Sequence, residues 1–227
     1  SYRRWIEIPG EWRGKEVILH FGSVTSCVYL WINGNFVGYG EDSKLGQEFD
    51  VTRYLRPGKS NLIAFQVMRW CDGSYLEDQD FFRYTGVARE SYLYARNHRG
   101  LDDVQITPHL DETYTQGTLE VTLALRGKAT AQLEVLDADG HALQQATVTG
   151  RDTIRHIMTL GEVCPWSAEA PYLYTLRISV NKNEYVEEKI GFRRVEIKDA
   201  RFLVNGQPVL IKGVNRHDTH PVLGFYT

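Results

Sequence analysis

The sequence predicts an all-β chain: two antiparallel sandwiches in series, then the opening of a unit of different character. Three observations carry this. Short runs of alternating apolar and polar residues recur along the 227 residues, punctuated by Gly, Pro and Asn-Gly. A polar stretch, Arg96-Asn97-His98-Arg99-Gly100, interrupts them once and reads as a linker. Near the end an apolar run, Leu210-Ile211, leads into Lys212-Gly213-Val214-Asn215-Arg216-His217-Asp218. An apolar strand ending in Asn, Arg, His and Asp is the pattern expected at the mouth of a barrel strand.

The elements follow in order. Tyr2 to Ile8, Lys15 to Phe21 and Ser26 to Ile32 read as strands. Asn33-Gly34 supplies the two positive-φ positions of a type I′ hairpin, and Asn35 to Gly40 returns. Phe49 to Leu55 reads as a short helical or extended turn closed by Arg56-Pro57-Gly58. Asn61 to Met68 and Val87 to Ala95 are strands on either side of a loop. This spacing predicts a jelly-roll sandwich over residues 1–97. The second series comprises Asp103 to Thr107, Gly117 to Leu125, Ala131 to Leu136, Ile154 to Leu160, Tyr172 to Val180 and Tyr185 to Ile190. Six such runs in some ninety residues, close to the seven strands of the type, predict an immunoglobulin-like sandwich over 101–198, without the cysteine pair of antibody domains. Trp166, in the rigid turn Pro165 to Pro171, is expected to cap it. Phe202-Leu203-Val204 and Pro208 to Ile211 flank Asn205-Gly206, giving a hairpin that opens a third segment, 199–227. Cut off from a barrel, that hairpin should expose Leu203, Val209 and Ile211.

Composition excludes several functions. A net charge of -3 gives no electrostatic case for nucleic acid or an anionic membrane. No run is long and apolar enough to span a bilayer. The three cysteines, Cys27, Cys71 and Cys164, are odd in number and widely spaced. That argues against a disulfide framework and fits a reducing compartment. No C-x-x-C or H-E-x-x-H pattern offers a zinc site. The chain starts within a strand, without Met, and stops at Phe225-Tyr226-Thr227; it is expected to be a piece of a longer polypeptide.

The stretch Arg69 to Gly86 stands out. Asp72, Glu77, Asp78 and Asp80 fall within nine positions, interleaved with Tyr75, Phe81, Phe82 and Tyr84. Carboxylates beside rings suit two tasks: holding a hard cation through oxygen, and bonding sugar hydroxyls while rings cover the apolar sugar face. The bland alternative is a solvated acidic turn, and the rings argue against it. For the Asn215 to Asp218 cluster, spacing alone leaves a solvated polar loop equally open.

Arg69-Trp70-Cys71-Asp72-Gly73-Ser74-Tyr75-Leu76-Glu77-Asp78-Gln79-Asp80 and Gly213-Val214-Asn215-Arg216-His217-Asp218 resemble the β-galactosidases of glycoside hydrolase family 2. Trp31-Ile32-Asn33-Gly34, Val37-Gly38-Tyr39-Gly40 and Gly191-Phe192-Arg193 match in the same order. The resemblance implies a jelly-roll (galactose-binding-like) sugar-binding domain, an immunoglobulin-like domain and the first hairpin and strand of a catalytic (β/α)8 barrel. It implies a parent that hydrolyses terminal β-D-galactosides such as lactose with retention, through two glutamates lying beyond Thr227. No carboxylate of this chain, Glu77 included, matches either one, so no catalytic residue is assigned and the chain alone is expected to be inactive. Asp80 matches a ligand of a sodium ion that also contacts the galactosyl 6-hydroxyl. Asp72 matches an outlying magnesium ligand, and His217 a histidine against the galactosyl ring. Na+ and Mg2+ are thus implied as cofactors of the full-length parent, with neither held by this piece alone. A homo-oligomeric enzyme of the bacterial cytoplasm is implied, with a β-galactoside as its partner and neither nucleic acid nor membrane. Two alternatives stand beside it: a β-glucuronidase-type member of the family, and a carbohydrate-binding pair of sandwiches without catalysis.

Overall fold

The computed structural model describes residues 1–77, 84–216, 218 and 220–222. Strand dominates it, and the helical pieces are single 3-10 turns. The chain divides into two compact units: Ser1–His98, joined by the described residues from Val214 onward, and Arg99–Gly213.

In the first unit the strands are β1 (Tyr2–Glu7), β2 (Glu16–Phe21), β3 (Val24–Thr25), β4 (Cys27–Ile32), β5 (Asn35–Glu41), β6 (Gln47–Asp50), β7 (Ser60–Met68), β8 (Gly86–Val87) and β9 (Ser91–Arg96). One antiparallel sheet has the order β1-β7-β4-β5, a second β6-β2-β9, and β3 pairs β8. The alternation seen in the sequence sets the core: Val17, Leu19 and Phe21 are buried together with Val28, Leu30, Ile32 and Ile63. Each fully buried side chain of this size stabilises the fold by about 1.5–3 kcal/mol relative to exposure.

The Asn33-Gly34 turn forms as expected, with φ of 51° and 84°. Its asparagine also works through its side chain. Asn33 Nδ2 donates to Asn61 Oδ1 at 2.8 Å and to the Tyr54 carbonyl at 2.9 Å, while its Oδ1 accepts from Leu62 N at 3.0 Å. Asn61, fully buried, is satisfied by those contacts and by Arg56 and Lys59 backbone, as a buried amide must be to avoid a desolvation penalty. In Gly38-Tyr39-Gly40 both glycines lie under Phe49 of β6, and a Cβ at Gly40 would sit 2.1 Å from Gln47 Oε1.

Two readings change here. Val87 to Ala95 is not one strand, because the chain jogs between β8 and β9 so that Ala88 N can reach the Ser23 carbonyl at 3.2 Å and Gly22 N the Glu90 carbonyl at 2.9 Å. And β6 was hidden, since Gln47-Glu48-Phe49-Asp50 carries a single apolar residue, too few to show a period.

The second unit has β10 (Gly100–Leu110), β11 (Gln116–Leu136), β12 (Ala142–Glu162), β13 (Tyr174–Val180), β14 (Glu184–Ile190), β15 (Val195–Lys198), β16 (Arg201–Val204) and β17 (Gln207–Pro208). The two runs read as separate strands, 117–125 and 131–136, are halves of β11. It shifts register against β12 between Ala124 and Lys128, with Gly127 at a φ of 78°. The first half of β11 pairs β10, and the second pairs β13. Leu119, Val121, Leu123 and Leu125 face Leu133, Val135, Leu176, Ile178 and Phe192 in one core. β12 starts twelve residues before the expected Ile154, in a segment too polar to read as strand. Trp166 is half-buried at the sandwich end, its backbone N–H donating to the Phe192 carbonyl at 2.8 Å and Arg193 lying 4.8 Å over its ring.

The Asn205-Gly206 hairpin forms between β16 and β17, both turn residues at positive φ, and it belongs to the second unit. Tyr114 Oη donates to Glu196 at 2.6 Å and Asn205 Nδ2 to the Trp166 carbonyl at 3.0 Å. This packing buries Leu203, contrary to expectation, while Val209 and Ile211 are exposed as anticipated. No strand follows Pro208 among the described residues before His220, so the expected barrel strand is absent from Val209 to Arg216.

One turn gives a pH prediction. Asp111 accepts from Thr113 Oγ1 at 2.6 Å and from the N–H groups of Thr115 and Gln116, each at 2.9 Å. The Thr113 hydroxyl, then the Gln116 N–H, hold its carboxyl down at about 2. The unfolded value is about 3.9, so the turn's contribution is complete above about pH 4 and disappears as pH falls through about 2. Asp111→Asn lacks the charge. The gap in urea midpoint between wild type and variant is expected to close between about pH 4 and pH 2. A gap constant across that window contradicts the assignment.

Candidate functional site

The acidic loop leaves β7 under tight control. β4 and β7 are paired with Cys27 opposite Met68. Ser26, buried, extends that pairing: its N–H donates to the Met68 carbonyl at 3.0 Å and its hydroxyl to the Arg69 carbonyl at 2.8 Å. The chain then makes a 3-10 turn, Asp72–Tyr75, whose start is closed by Cys71 N–H donating to the buried Ser74 hydroxyl at 3.0 Å. Just past this turn Glu77 is gripped by Ser43, backbone N–H at 3.1 Å and hydroxyl at 2.5 Å, and the Ser43 carbonyl accepts from Ser23 Oγ at 2.6 Å. Glu77 is therefore a clamp between two loops.

This turn brings together Glu41 at the end of β5, Cys71 and Asp72, with one donor atom of each within 4.8 Å of the others. Both carboxylates are exposed and Cys71 is half-buried. Tyr39 Oη donates to Glu41 Oε2 at 2.7 Å; this bond raises the phenol far above its ordinary range. Below the turn, burial pushes the Cys27 thiol up. Two carboxylate oxygens suit a hard divalent cation, whereas the thiol does not. The donor set fits magnesium through Glu41 and Asp72 only.

Of the residues singled out in the sequence, Asp72 falls at this cluster. Asp80 and His217 lie outside the described residues, as do Asp78, Phe81 and Phe82. Two rings expected to be sheltered are not: Tyr75 is 81% exposed and Tyr84 49%. In the tail, Arg216 Nε bonds Asp218 Oδ1 at 2.5 Å with both side chains exposed. Glu41 was missed, although it directly follows the noted Val37-Gly38-Tyr39-Gly40 and sits opposite Cys27 in register.

A jelly-roll-like sandwich presenting an acidic turn, followed by a second sandwich and a hairpin, makes this a modular all-β chain. Three family descriptions match it in succession: "Glycosyl hydrolases family 2, sugar binding domain" over residues 1–97, "Glycosyl hydrolases family 2" over 100–193, and "Glycosyl hydrolases family 2, TIM barrel domain" over 195–225. The chain belongs to family 2 of the glycosyl hydrolases. It is 42% identical to a β-galactosidase of Actinobacillus pleuropneumoniae over 99% of its length and 22% of that protein's. It is 39% identical to one of Vibrio vulnificus over 90% of its length and 21% of that protein's. It thus spans about a fifth of these relatives' length. Among solved structures, a Ruminococcus gnavus β-glucuronidase matches its fold with a TM-score of 0.85 at 23% identity, covering 99% of this chain and 40% of that one. A Faecalibacterium prausnitzii β-glucuronidase gives 0.80 at 27% identity, covering 99% and 42%. Among the described residues, no helix is long and apolar enough to cross a membrane.

Proposed function

We propose that this chain is the sugar-side portion of a retaining β-galactosidase that hydrolyses terminal β-D-galactosides such as lactose. The observation that carries it is the joint match of the loop Arg69 to Asp80 and the tail Gly213 to Asp218, supported by the β-galactosidase names of relatives 36% to 42% identical. In this reading Asp80 is a ligand to sodium and faces the galactosyl 6-hydroxyl, and His217 touches the galactosyl ring. Such contacts raise the rate only as far as they strengthen in the transition state. A bound sodium ion supplies a hard positive point that fixes a hydroxyl oxygen. Asp72 and Glu41 hold a divalent cation at the loop's first turn, away from the chemistry. The two glutamates that break the bond lie elsewhere in the parent, a homo-oligomer of the bacterial cytoplasm; three free cysteines fit that compartment.

The second reading, a β-glucuronidase, draws on the solved β-glucuronidases that share the fold, of which one is 27% identical. Turnover of nitrophenyl β-D-galactoside and β-D-glucuronide by the full-length polypeptide separates the two. A kcat/KM at least about 10³-fold higher for the galactoside is expected, because a site built around a hydroxyl leaves a carboxylate badly solvated. Preference for the glucuronide refutes the galactoside assignment.

A further inference from the structure

We propose that Cys27 and Cys71 form an oxidisable dithiol, a disulfide site that fastens the first turn of the acidic loop to the central strand β4. Cys27 opens β4 and is 2% exposed, while Cys71 is half-buried on the loop after β7. They are 44 positions apart in sequence yet are brought close in space, because Cys27 pairs with Met68 and Ser26 ties both Met68 and Arg69, two residues before Cys71. Cys27 lies opposite Glu41 in the β4–β5 register, and a Glu41 carboxylate oxygen lies within 4.8 Å of the Cys71 sulfur, so the pairing brings the Cys71 thiol to the strand position of Cys27. The Cys71 sulfur has no other fixed partner than Ser74 Oγ at 3.5 Å, among the described residues. Cys164 lies in the other unit, so the two thiols are each other's natural partner.

The division of labour follows from exposure. Cys71 is reached from solvent and Cys27 is not, so Cys71 reacts first and Cys27 resolves. The oxidant is a small neutral hydroperoxide, hydrogen peroxide, which supplies the two-electron oxidation that joins two thiols. The Cys71 sulfur attacks one peroxide oxygen, the O–O bond breaks, and the departing hydroxide takes up the thiol proton as water. The Cys27 sulfur then attacks the resulting sulfenic sulfur, the S–O bond breaks, and a second water leaves with the Cys27 proton. Two thiols and hydrogen peroxide give one disulfide and two waters. The bond would close a loop of some 45 residues, long enough for cross-linking to restrict the unfolded chain substantially.

The test uses the full chain carrying Cys164→Ser, exposed to hydrogen peroxide, alkylated after unfolding and mapped by mass spectrometry. Expected are a monomer 2 Da lighter, loss of both thiols, one Cys27–Cys71 linked peptide, an unfolding midpoint higher by about 5 °C or more, and reversal of all four by dithiothreitol. Adding Cys27→Ala abolishes the rise in midpoint and leaves Cys71 to pass on to sulfinic acid. If that variant does not fold, Cys71→Ser is the substitute, and there the same oxidant must leave Cys27 reduced. Cys71 oxidised beyond sulfenic acid while Cys27 stays alkylatable, dimers through Cys71, or two intact thiols would each overturn the proposal.

Discussion

Asp80→Asn in the full-length polypeptide is expected to lower kcat/KM for a β-galactoside by about 100-fold and to flatten its dependence on sodium. The substitution keeps the side chain's shape and one carbonyl oxygen. What it removes is the charge, and a hard cation held by oxygen ligands loses most with a carboxylate. Changes to groups that hold or orient a metal ligand cost 10- to 100-fold in affinity or activity, and Asp80 is expected at the upper end of that range. The loss should appear in KM and in sodium activation together, because the proposed function puts cation and sugar hydroxyl at one site. Unchanged sodium dependence would remove Asp80 from it. The matching Asp72→Asn variant, at the outlying turn with Glu41, is expected to leave sodium activation as it is.

Residues 1–227 alone are expected to show no turnover of nitrophenyl β-galactoside, at least about 10⁶-fold below the full-length polypeptide, equivalent to about 8 kcal/mol of lost barrier reduction. The cluster makes this a demanding statement, since Glu41 and Asp72 bring carboxylate oxygens within 4.8 Å, close to the separation of a retaining pair. Two features argue against catalysis there. Both carboxylates are exposed to water, and Glu41 is engaged by the Tyr39 hydroxyl. Turnover by the purified chain that disappears with Glu41→Gln or Asp72→Asn would contradict this directly.

Much of the fold was legible because its strands are half-buried and alternate. Leu119, Val121, Leu123 and Leu125 read as one face and are one face of a core. The Asn-Gly pairs at 33–34 and 205–206 read as turns and are turns. What stayed hidden lacked such a period. β6 is polar and owes its strand state to β2, well upstream, and the polar first half of β12 owes its own to the hairpin it forms with the second half of β11. β11 read as two strands because its bend interrupts the apolar pattern where the register slips. At the site, the loop was legible from its acids, but Glu41 was not, since only the pairing of β4 with β5 brings it across from Cys27. The ring argument failed for Tyr75, which is exposed: an aromatic close to carboxylates in sequence need not shelter beside them. The role of Glu77 was equally unreadable, because its partner Ser43 is 34 positions away.

The most direct measurement is a double-mutant cycle between Asp80 and the sugar's 6-hydroxyl, in the full-length polypeptide at saturating and at low sodium. kcat/KM is compared for a β-galactoside and its 6-deoxy analogue, with Asp80 and with Asn in its place. If Asp80 and its cation grip that hydroxyl, the two losses overlap: once the hydroxyl is gone, Asp80→Asn costs little more, and the coupling is about 1–3 kcal/mol. Losses that simply add would mean that Asp80 does not act through the 6-hydroxyl.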